Sequence, residues 1–247
     1  MEILGIDVGG SGIKGAIVET KNGKLISERI RIETPQPATP ELVSETIATL
    51  VKQLKYKGSI GVGFPAAIIQ GVVKTASNID KSWIGVNANK LFSKSTKCHV
   101  FTLNDADAAG IAEDKYGGGK NIEGVVIIIT IGTGVGTAFF SNGRLVPNTE
   151  VGHIVMPNGL KAEHYVSDFV RQRDDLSWDV WTSRMNEYLE YLENLFYPDL
   201  IIVGGGISKK SDKFLEGIKT RSKVIPAKLL NNAGIIGAAD YARKSDK

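Results

Sequence analysis

Apolar positions along this chain fall into two rhythms. Short, densely apolar runs predict strands at 3–7, 13–18 and 25–31, then at 59–64 and 100–103. Between them, residues 41–54 repeat at helical spacing, with Leu42, Ile47, Leu50, Val51 and Leu54 forming one stripe. Pro35, Pro37 and Pro40 mark the loop that precedes this helix. Residues 106–116 are alanine-rich and helical, and Gly117, Gly118 and Gly119 stop them. The pattern then starts again. Strands are predicted at 125–131, 135–140 and 144–146, the last after the Asn142-Gly143 turn. A long helix at 179–197 ends at Pro198, and a buried strand at 200–203 runs into Gly204, Gly205, Gly206 and a further helix. A strand at 224–226 and a closing helix at 231–243 complete the chain. Each half opens with a strand hairpin and then alternates strands and helices, which predicts an α/β fold of two similar lobes. The predicted lobes are 1–117 and 118–230, with 231–247 packing back on the first.

The two hairpins echo each other in detail. GIDVGGSGIKGAIV begins at Gly5 and IIITIGTGVGTAFF at Ile127. Each is an apolar strand, a polar residue (Asp7, Thr130), a run of glycine with Ser or Thr, and a second apolar strand. Glycine accepts the backbone angles of a tight strand-to-strand turn. Without side chains, the loop lets an anion approach the backbone N–H groups. Ser11 and Thr133 add hydroxyls, and Lys14 adds a positive charge. Either loop alone fits an ordinary turn equally well. Together they point to a duplicated domain with two phosphate-gripping hairpins facing one cleft.

Composition narrows the classes. The longest apolar run, 125–129, is too short to cross a bilayer, and no signal-like segment opens the sequence. A cytoplasmic protein without membrane contact is expected. The single cysteine, Cys98, excludes an internal disulfide and a cysteine-cluster zinc site. A net charge of +3 is too small to point to nucleic acid. The charge is uneven, however: Lys209, Lys210, Lys213, Lys219, Arg221, Lys223 and Lys228 face only Asp212 and Glu216. That excess suits a polyanion or, equally, a solvated face.

Three further segments can carry chemistry. Asn104-Asp105 lies at a predicted strand end, where α/β folds place ligands. A carboxylate there can take a proton from a hydroxyl, and the same pair can cap the following helix. Glu150 and His153, three apart around Gly152, can converge on one polar ligand but are too few for a metal. Gly204, Gly205, Gly206 and Ser208 form a strand-turn-helix start that suits phosphate. The full dinucleotide fingerprint is missing there.

Taken together, GIDVGGSGIKGAIV, GVGFPAAIIQGVVKTASNID with Trp83, NDADAAGIAE, ITIGTGVGTAFFSNGRLVPNTEVGH, IIVGGGISKKSDKF and NNAGIIGAA resemble the ROK family of sugar kinases over nearly the whole chain. Within it they are most similar to bacterial polyphosphate glucokinases and glucomannokinases. The resemblance implies a two-lobed, duplicated ribonuclease H-like fold of the actin/hexokinase/Hsp70 class with a central cleft. It implies phosphoryl transfer from polyphosphate, ATP or both to the primary hydroxyl of glucose, a step of carbohydrate metabolism and glycolysis. Asp105 would be the catalytic base. Asn78, Asn104, Glu150, His153 and Glu163 would hold the sugar. Asp7, Gly9, Gly10, Ser11, Gly12 and Lys14 would form the first phosphate loop, and Thr130, Gly132, Thr133, Gly134 and Gly136 the second. Gly204, Gly205, Gly206 and Ser208 correspond to the adenosine-side loop. Magnesium would bridge phosphate oxygens near Asp7, and the family pattern implies a homodimer.

The chain departs from the pattern in places. Many ROK proteins carry a cysteine-rich zinc motif where this chain's MPNGLKAEHYVS has no cysteine, and the polyphosphate glucokinases lack that motif too. Ala66 replaces the usual glycine after Phe-Pro, where its methyl group is expected to narrow the approach to the sugar, and Ser77 replaces a common proline. Three other readings remain: an ATP-preferring glucokinase, a sugar-sensing regulator, and a polyphosphate hydrolase. With the first glycine loop this near residue 1, no DNA-binding domain is expected ahead of it. A hydrolase would leave Glu150, His153 and Glu163 idle.

Overall fold

The structure is a computed structural model and describes residues 1–77 and 79–245. In chain order its elements are β1 (Glu2–Gly9), β2 (Gly12–Glu19), β3 (Lys24–Leu25), β4 (Ile30–Ile32), α1 (Pro40–Gln53), β5 (Ile60–Phe64), β6 (Ile68–Ile69), β7 (Val72–Val73), α2 (Ala88–Thr96), β8 (Val100–Asn104) and α3 (Asp105–Tyr116). They continue as β9 (Val125–Ile131), β10 (Val135–Ser141), β11 (Arg144–Val146), α4 (Glu163–Val166), α5 (Asp168–Arg173), α6 (Trp178–Phe196), β12 (Leu200–Gly205), β13 (Lys223–Pro226) and α7 (Ala233–Ser245). The chain divides into two compact units. One is Met1–Ala112 together with the chain from Asn232 onward, and the other is Glu113–Asn231, so the division falls inside α3.

In the first unit the strand order is β3-β2-β1-β5-β8, with β4 also beside β2. β1 runs antiparallel to β2 and parallel to β5, which is parallel to β8. All five residues of β5 are buried, as a parallel strand covered on both faces requires. On one face Leu4, Ile6, Val8, Ile60 and Val62 pack with the α1 stripe Val43, Ile47, Leu50 and Val51. Phe64 meets Trp83 at 4.5 Å between ring centres, and the Trp83 indole donates to the Ala38 carbonyl at 2.9 Å. On the other face lies α7. Gly5 and Gly61, paired across β1 and β5, make room for it. A Cβ at Gly61 would sit 1.8 Å from the Ala238 carbonyl oxygen, and one at Gly5 1.9 Å from that of Ile235. α1 starts at Thr39, whose hydroxyl accepts from Leu42 N, with Pro40 in the first turn where its missing N–H costs nothing.

In the second unit the order is β11-β10-β9-β12-β13, with β9 antiparallel to β10 and parallel to β12. This is the same order and the same strand senses as in the first unit. α6 covers the sheet with Trp181, Met185, Tyr188, Leu189 and Leu192 against Ile127, Ile129, Ile201 and Val203. It begins at Ser177, which caps Val180 N, and ends at left-handed Tyr197 ahead of Pro198.

Two predicted elements differ. The strand expected at 25–31 is split into β3 and β4, because Ile17 N donates to the Ser27 hydroxyl at 2.9 Å instead of to a strand carbonyl. The helix expected after Gly206 is a 3-10 stretch, Gly206–Lys213, broken at Lys210. There Ser208 donates its hydroxyl back to the Gly205 carbonyl at 2.8 Å, a local bond that competes with α-helical pairing. The β6–β7 hairpin, α2, α4 and α5 were not anticipated. The first turns on Gln70 and Gly71, both at positive φ.

Candidate active site

The first glycine loop joins β1 to β2 through Gly10 and Ser11, since Gly9 pairs with Gly12. The bonds that hold it use its carbonyls. The Thr34 hydroxyl donates to Gly9 O at 2.5 Å, and the Arg31 guanidinium to Ser11 O at 2.7 Å. Both side chains escaped the sequence reading; their only signal was position on the strand and loop that follow the hairpin. Asp7 and Lys14 face each other across the ladder, with the ammonium 3.5 Å from the carboxylate. Burial pushes the Asp7 carboxyl above its ordinary range, against the pull of Lys14 and Arg29. Beside the loop a cavity of about 300 Å³ is lined by Gly9, Gly10, Thr34, Gln36, Ser77 and Asp80, among others.

Asn104 ends β8, and Asp105 begins α3. The amide oxygen of Asn104 accepts from Ala106 N at 2.8 Å and Asp107 N at 3.0 Å, while its NH₂ donates to Ala66 O at 3.2 Å. Asn104 is therefore the capping member of the pair. Asp105 is half-buried, and one of its carboxylate oxygens accepts from Ala106 N at 2.8 Å. Ala66 lies in the hydrophobic core of this unit, so its methyl group packs inward. Asn78 lies outside the described residues.

In the second unit the β9–β10 turn spans Gly132, Thr133 and Gly134, one residue longer than its counterpart. Gly132 donates to the Gly134 carbonyl at 3.0 Å and accepts from Phe169 N, which ties α5 to the loop. Thr130 stands opposite Gly136 on one side and Gly204 on the other. The second and third glycine segments therefore run side by side. Gly205 has φ +78°, and a Cβ there would lie 2.4 Å from the Ile131 carbonyl oxygen, so only glycine fits. Because the segment after it is 3-10 and kinked, the expected α-helix N-terminus is absent.

Beyond β10 the chain is fastened by Thr137. Its hydroxyl donates to Thr149 O and accepts from Val151 N at 3.2 Å, on either side of Glu150. A 3-10 turn, Val151–His153, follows, with Gly152 pressed against the Val135 carbonyl. A bridge between Val155 and Lys161 then folds the chain back and delivers Glu163 at the start of α4. His153 lies 3.4 Å from Glu163 through Nε2 and 4.0 Å from Glu150 through Nδ1. Burial raises the Glu150 carboxyl; His153 opposes that shift and Glu163 adds to it. The result is a compact patch of two carboxylates and an imidazole. Such a set accepts and donates hydrogen bonds to neutral hydroxyl groups.

Comparisons with known proteins bear on this arrangement. The family model described as ROK family matches residues 3–167. The polyphosphate glucokinase of Mycobacterium tuberculosis is 48% identical over 96% of this chain and 89% of its own length. The inorganic polyphosphate/ATP-glucomannokinase of Arthrobacter sp. strain KM superimposes with a TM-score of 0.95 and is 46% identical, covering 99% of both chains. A glucokinase of Streptomyces griseus, solved with glucose and AMPPNP, superimposes at 0.83 with 25% identity over 99% of this chain and all of that one. These relatives carry the duplicated actin/hexokinase-like fold that the family resemblance implied, and this chain shares it.

Proposed function

Because the chain belongs to the ROK family, we propose that it is a polyphosphate glucokinase, transferring the terminal phosphoryl group of inorganic polyphosphate to the primary hydroxyl of glucose. The observation that carries this reading is the patch of Glu150, His153 and Glu163, three hydroxyl-binding heads gathered from residues thirteen positions apart. It is supported by the 48% identical polyphosphate glucokinase. ATP is a second donor in this reading, favoured by the dual-donor Arthrobacter relative.

Phosphoryl transfer asks mainly for positioning and charge stabilisation. Glu150, His153 and Glu163 hold sugar hydroxyls. Asn104 serves by fixing the first turn of α3, and Asn78 is retained as a sugar contact. Asp105 accepts the proton of the primary hydroxyl as its oxygen attacks the terminal phosphorus. The phosphorus–oxygen bond to the rest of the chain breaks, and a polyphosphate shorter by one phosphate leaves with those electrons. The glycine loops at 9–12, 132–136 and 204–206 approach the donor with backbone N–H groups, helped by Ser11, Lys14, Thr130, Thr133 and Ser208.

Mg²⁺ is commonly bound by one or two carboxylates together with substrate phosphate oxygens and water. Asp7 is a lone, half-buried carboxylate beside the first loop, and no trio of metal-ligating side chains occurs among the described residues. That donor set fits magnesium held jointly by Asp7 and the phosphates. When bound, the ion neutralises charge on the phosphate oxygens. We place the enzyme in the cytoplasm as a homodimer, without nucleic-acid or membrane partners; no helix of the described residues is long and apolar enough to cross a membrane.

The test is glucose 6-phosphate formation with nucleotide-free long-chain polyphosphate, compared with ATP, each with and without EDTA. Glucose-dependent product from polyphosphate, lost with EDTA and restored by Mg²⁺, is the expected result. Product from ATP alone would replace the donor assignment, and phosphate release without glucose would make the protein a hydrolase.

A further inference from the structure

A second basic region, outside the segments assigned to the active site, lies in the first unit. The ends of α1 and α2 and the turns that follow them enclose a groove of about 810 Å³. Lys52, Lys55, Lys57 and Lys97 line it, and no Asp or Glu does. All four lysines are exposed, and none has an ion pair among the described residues. Val51, Ala48 and Tyr56 also line the groove. The hydroxyls of Thr49, Ser95 and Thr96 also reach it, but each donates to a carbonyl of its own helix. The lysines are thus the free donors on offer.

Lysines at helix C-termini are ordinary, because they answer the partial negative charge there. Two helix ends do not account for four lysines. Lys55 and Lys97 also stand at positive φ, +52° and +61°. Glycine or asparagine usually fills such turns, so lysine carries a conformational cost at both. Four like charges around one groove repel one another, and a multiply charged anion relieves that repulsion.

The groove is remote from Asp105 within its own unit. It lies where β5 and β8 begin, next to Tyr56 and Cys98, whereas Asp105 follows the last residue of β8. Five strand residues separate the two ends, about 13 Å at roughly 3.3 Å per residue. A phosphate in the groove is therefore not the one that reacts.

We propose that this groove is a second anion site, binding condensed phosphate in the form of a polyphosphate segment or the triphosphate of a nucleotide. The inference stands apart from the kinase reading, since it rests on charge and shape alone. Cys98, the sole cysteine, lines the groove and reports on it without signal from elsewhere. Alkylation of Cys98 is followed by mass spectrometry with long-chain polyphosphate, tripolyphosphate, ATP, or sodium chloride of equal ionic strength. A ligand at ten times its Kd leaves about one site in eleven empty, so alkylation should slow about tenfold. Protection by polyphosphate and not ATP assigns the inorganic chain, and protection by both assigns the triphosphate group. In the Lys52→Gln/Lys55→Gln/Lys57→Gln/Lys97→Gln variant, protection should vanish while the melting temperature holds. Alkylation no slower than in chloride, or equal protection in the variant, overturns the proposal. Neither result depends on whether the protein phosphorylates glucose.

Discussion

Replacing Asp105 by asparagine isolates the proposed base from everything else that residue does. The carboxylate oxygen that accepts from Ala106 N at 2.8 Å has a direct counterpart in the asparagine carbonyl. The cap on α3 is untouched, because Asn104 supplies it. The structural loss includes one negative charge in the first helical turn, about 0.3–1 kcal/mol, and Asp107 keeps a second acid there. For a chain of this size that lowers Tm by about 4 °C at most. The chemical loss is larger: a positioned general base contributes roughly 10²–10⁴ in rate. At 1.36 kcal/mol per decade this is about 3–5 kcal/mol of transition-state stabilisation. The assay couples glucose 6-phosphate to its dehydrogenase and reads kcat and KM for glucose separately. The expected variant has kcat down at least a hundredfold, KM for glucose little changed, and Tm within a few degrees of wild type. Turnover within tenfold of wild type, in a protein that melts normally, would refute the assignment of Asp105 as base.

Other consequences follow from particular contacts. Burial holds the Glu150 carboxyl above its ordinary range, so if its ionised form accepts a sugar hydroxyl, kcat/KM for glucose falls as pH drops through that raised pKa. Glu150→Gln should raise KM and flatten the acid limb; an unmoved limb would assign it to another group. Gly61→Ala places a methyl 1.8 Å from the Ala238 carbonyl, where the backbone must yield. The cost is expected at about 3 kcal/mol or more, a fall in Tm of about 6 °C or more by calorimetry; an unchanged Tm would mean α7 does not pack on β5. Glu193 is buried, which raises its carboxyl, but bonds from Ser222 Oγ, Ser222 N and Arg221 N outweigh burial and bring it below the usual value. A lowered native pKa gives stability above the unfolded carboxylate pKa and loses it as pH falls through the native one. Glu193→Gln should therefore cost about 1.5–3 kcal/mol near neutral pH and nearly nothing in strong acid, as read by urea unfolding. A penalty independent of pH would contradict this.

The strands and the long helices were legible because burial imposes a period that survives in one dimension. β5 and β12 read as continuous apolar runs, and α1 as a stripe, since each has a sheet or a helix to cover. The two misread segments were decided by single polar side chains. Ser27 divides β3 from β4, and Ser208 holds the segment after Gly206 out of an α-helix. Neither leaves a trace in periodicity. The Asn104-Asp105 pair was ambiguous for the same reason: both residues can cap, and only geometry gives the cap to Asn104. Glu163 shows the other limit. No spacing rule connects it to Glu150, because a bridge at Val155 and Lys161 closes the chain between them. It entered the sequence reading by family resemblance alone.

The paired hairpins look equivalent in sequence, yet their registers divide the work. In the first unit the position after the strand core sets Asp7 against Lys14; in the second it sets Thr130 against Gly136. The first hairpin therefore offers a carboxylate and an ammonium, and the second only hydroxyls and backbone groups. A divalent ion would have a carboxylate ligand at the first hairpin and none at the second. If both grip the donor, the second must do so through N–H and hydroxyl groups, whose strength is fixed by geometry and insensitive to pH. Its glycines are then constrained by approach distance, as Gly205 beside Ile131 already is, while the first hairpin is constrained by charge. Substitutions should divide along that line. Asp7→Asn should change the Mg²⁺ concentration needed for turnover, whereas Thr130→Val should leave that requirement where it was. A shift in metal dependence from Thr130→Val would place the ion at the wrong hairpin.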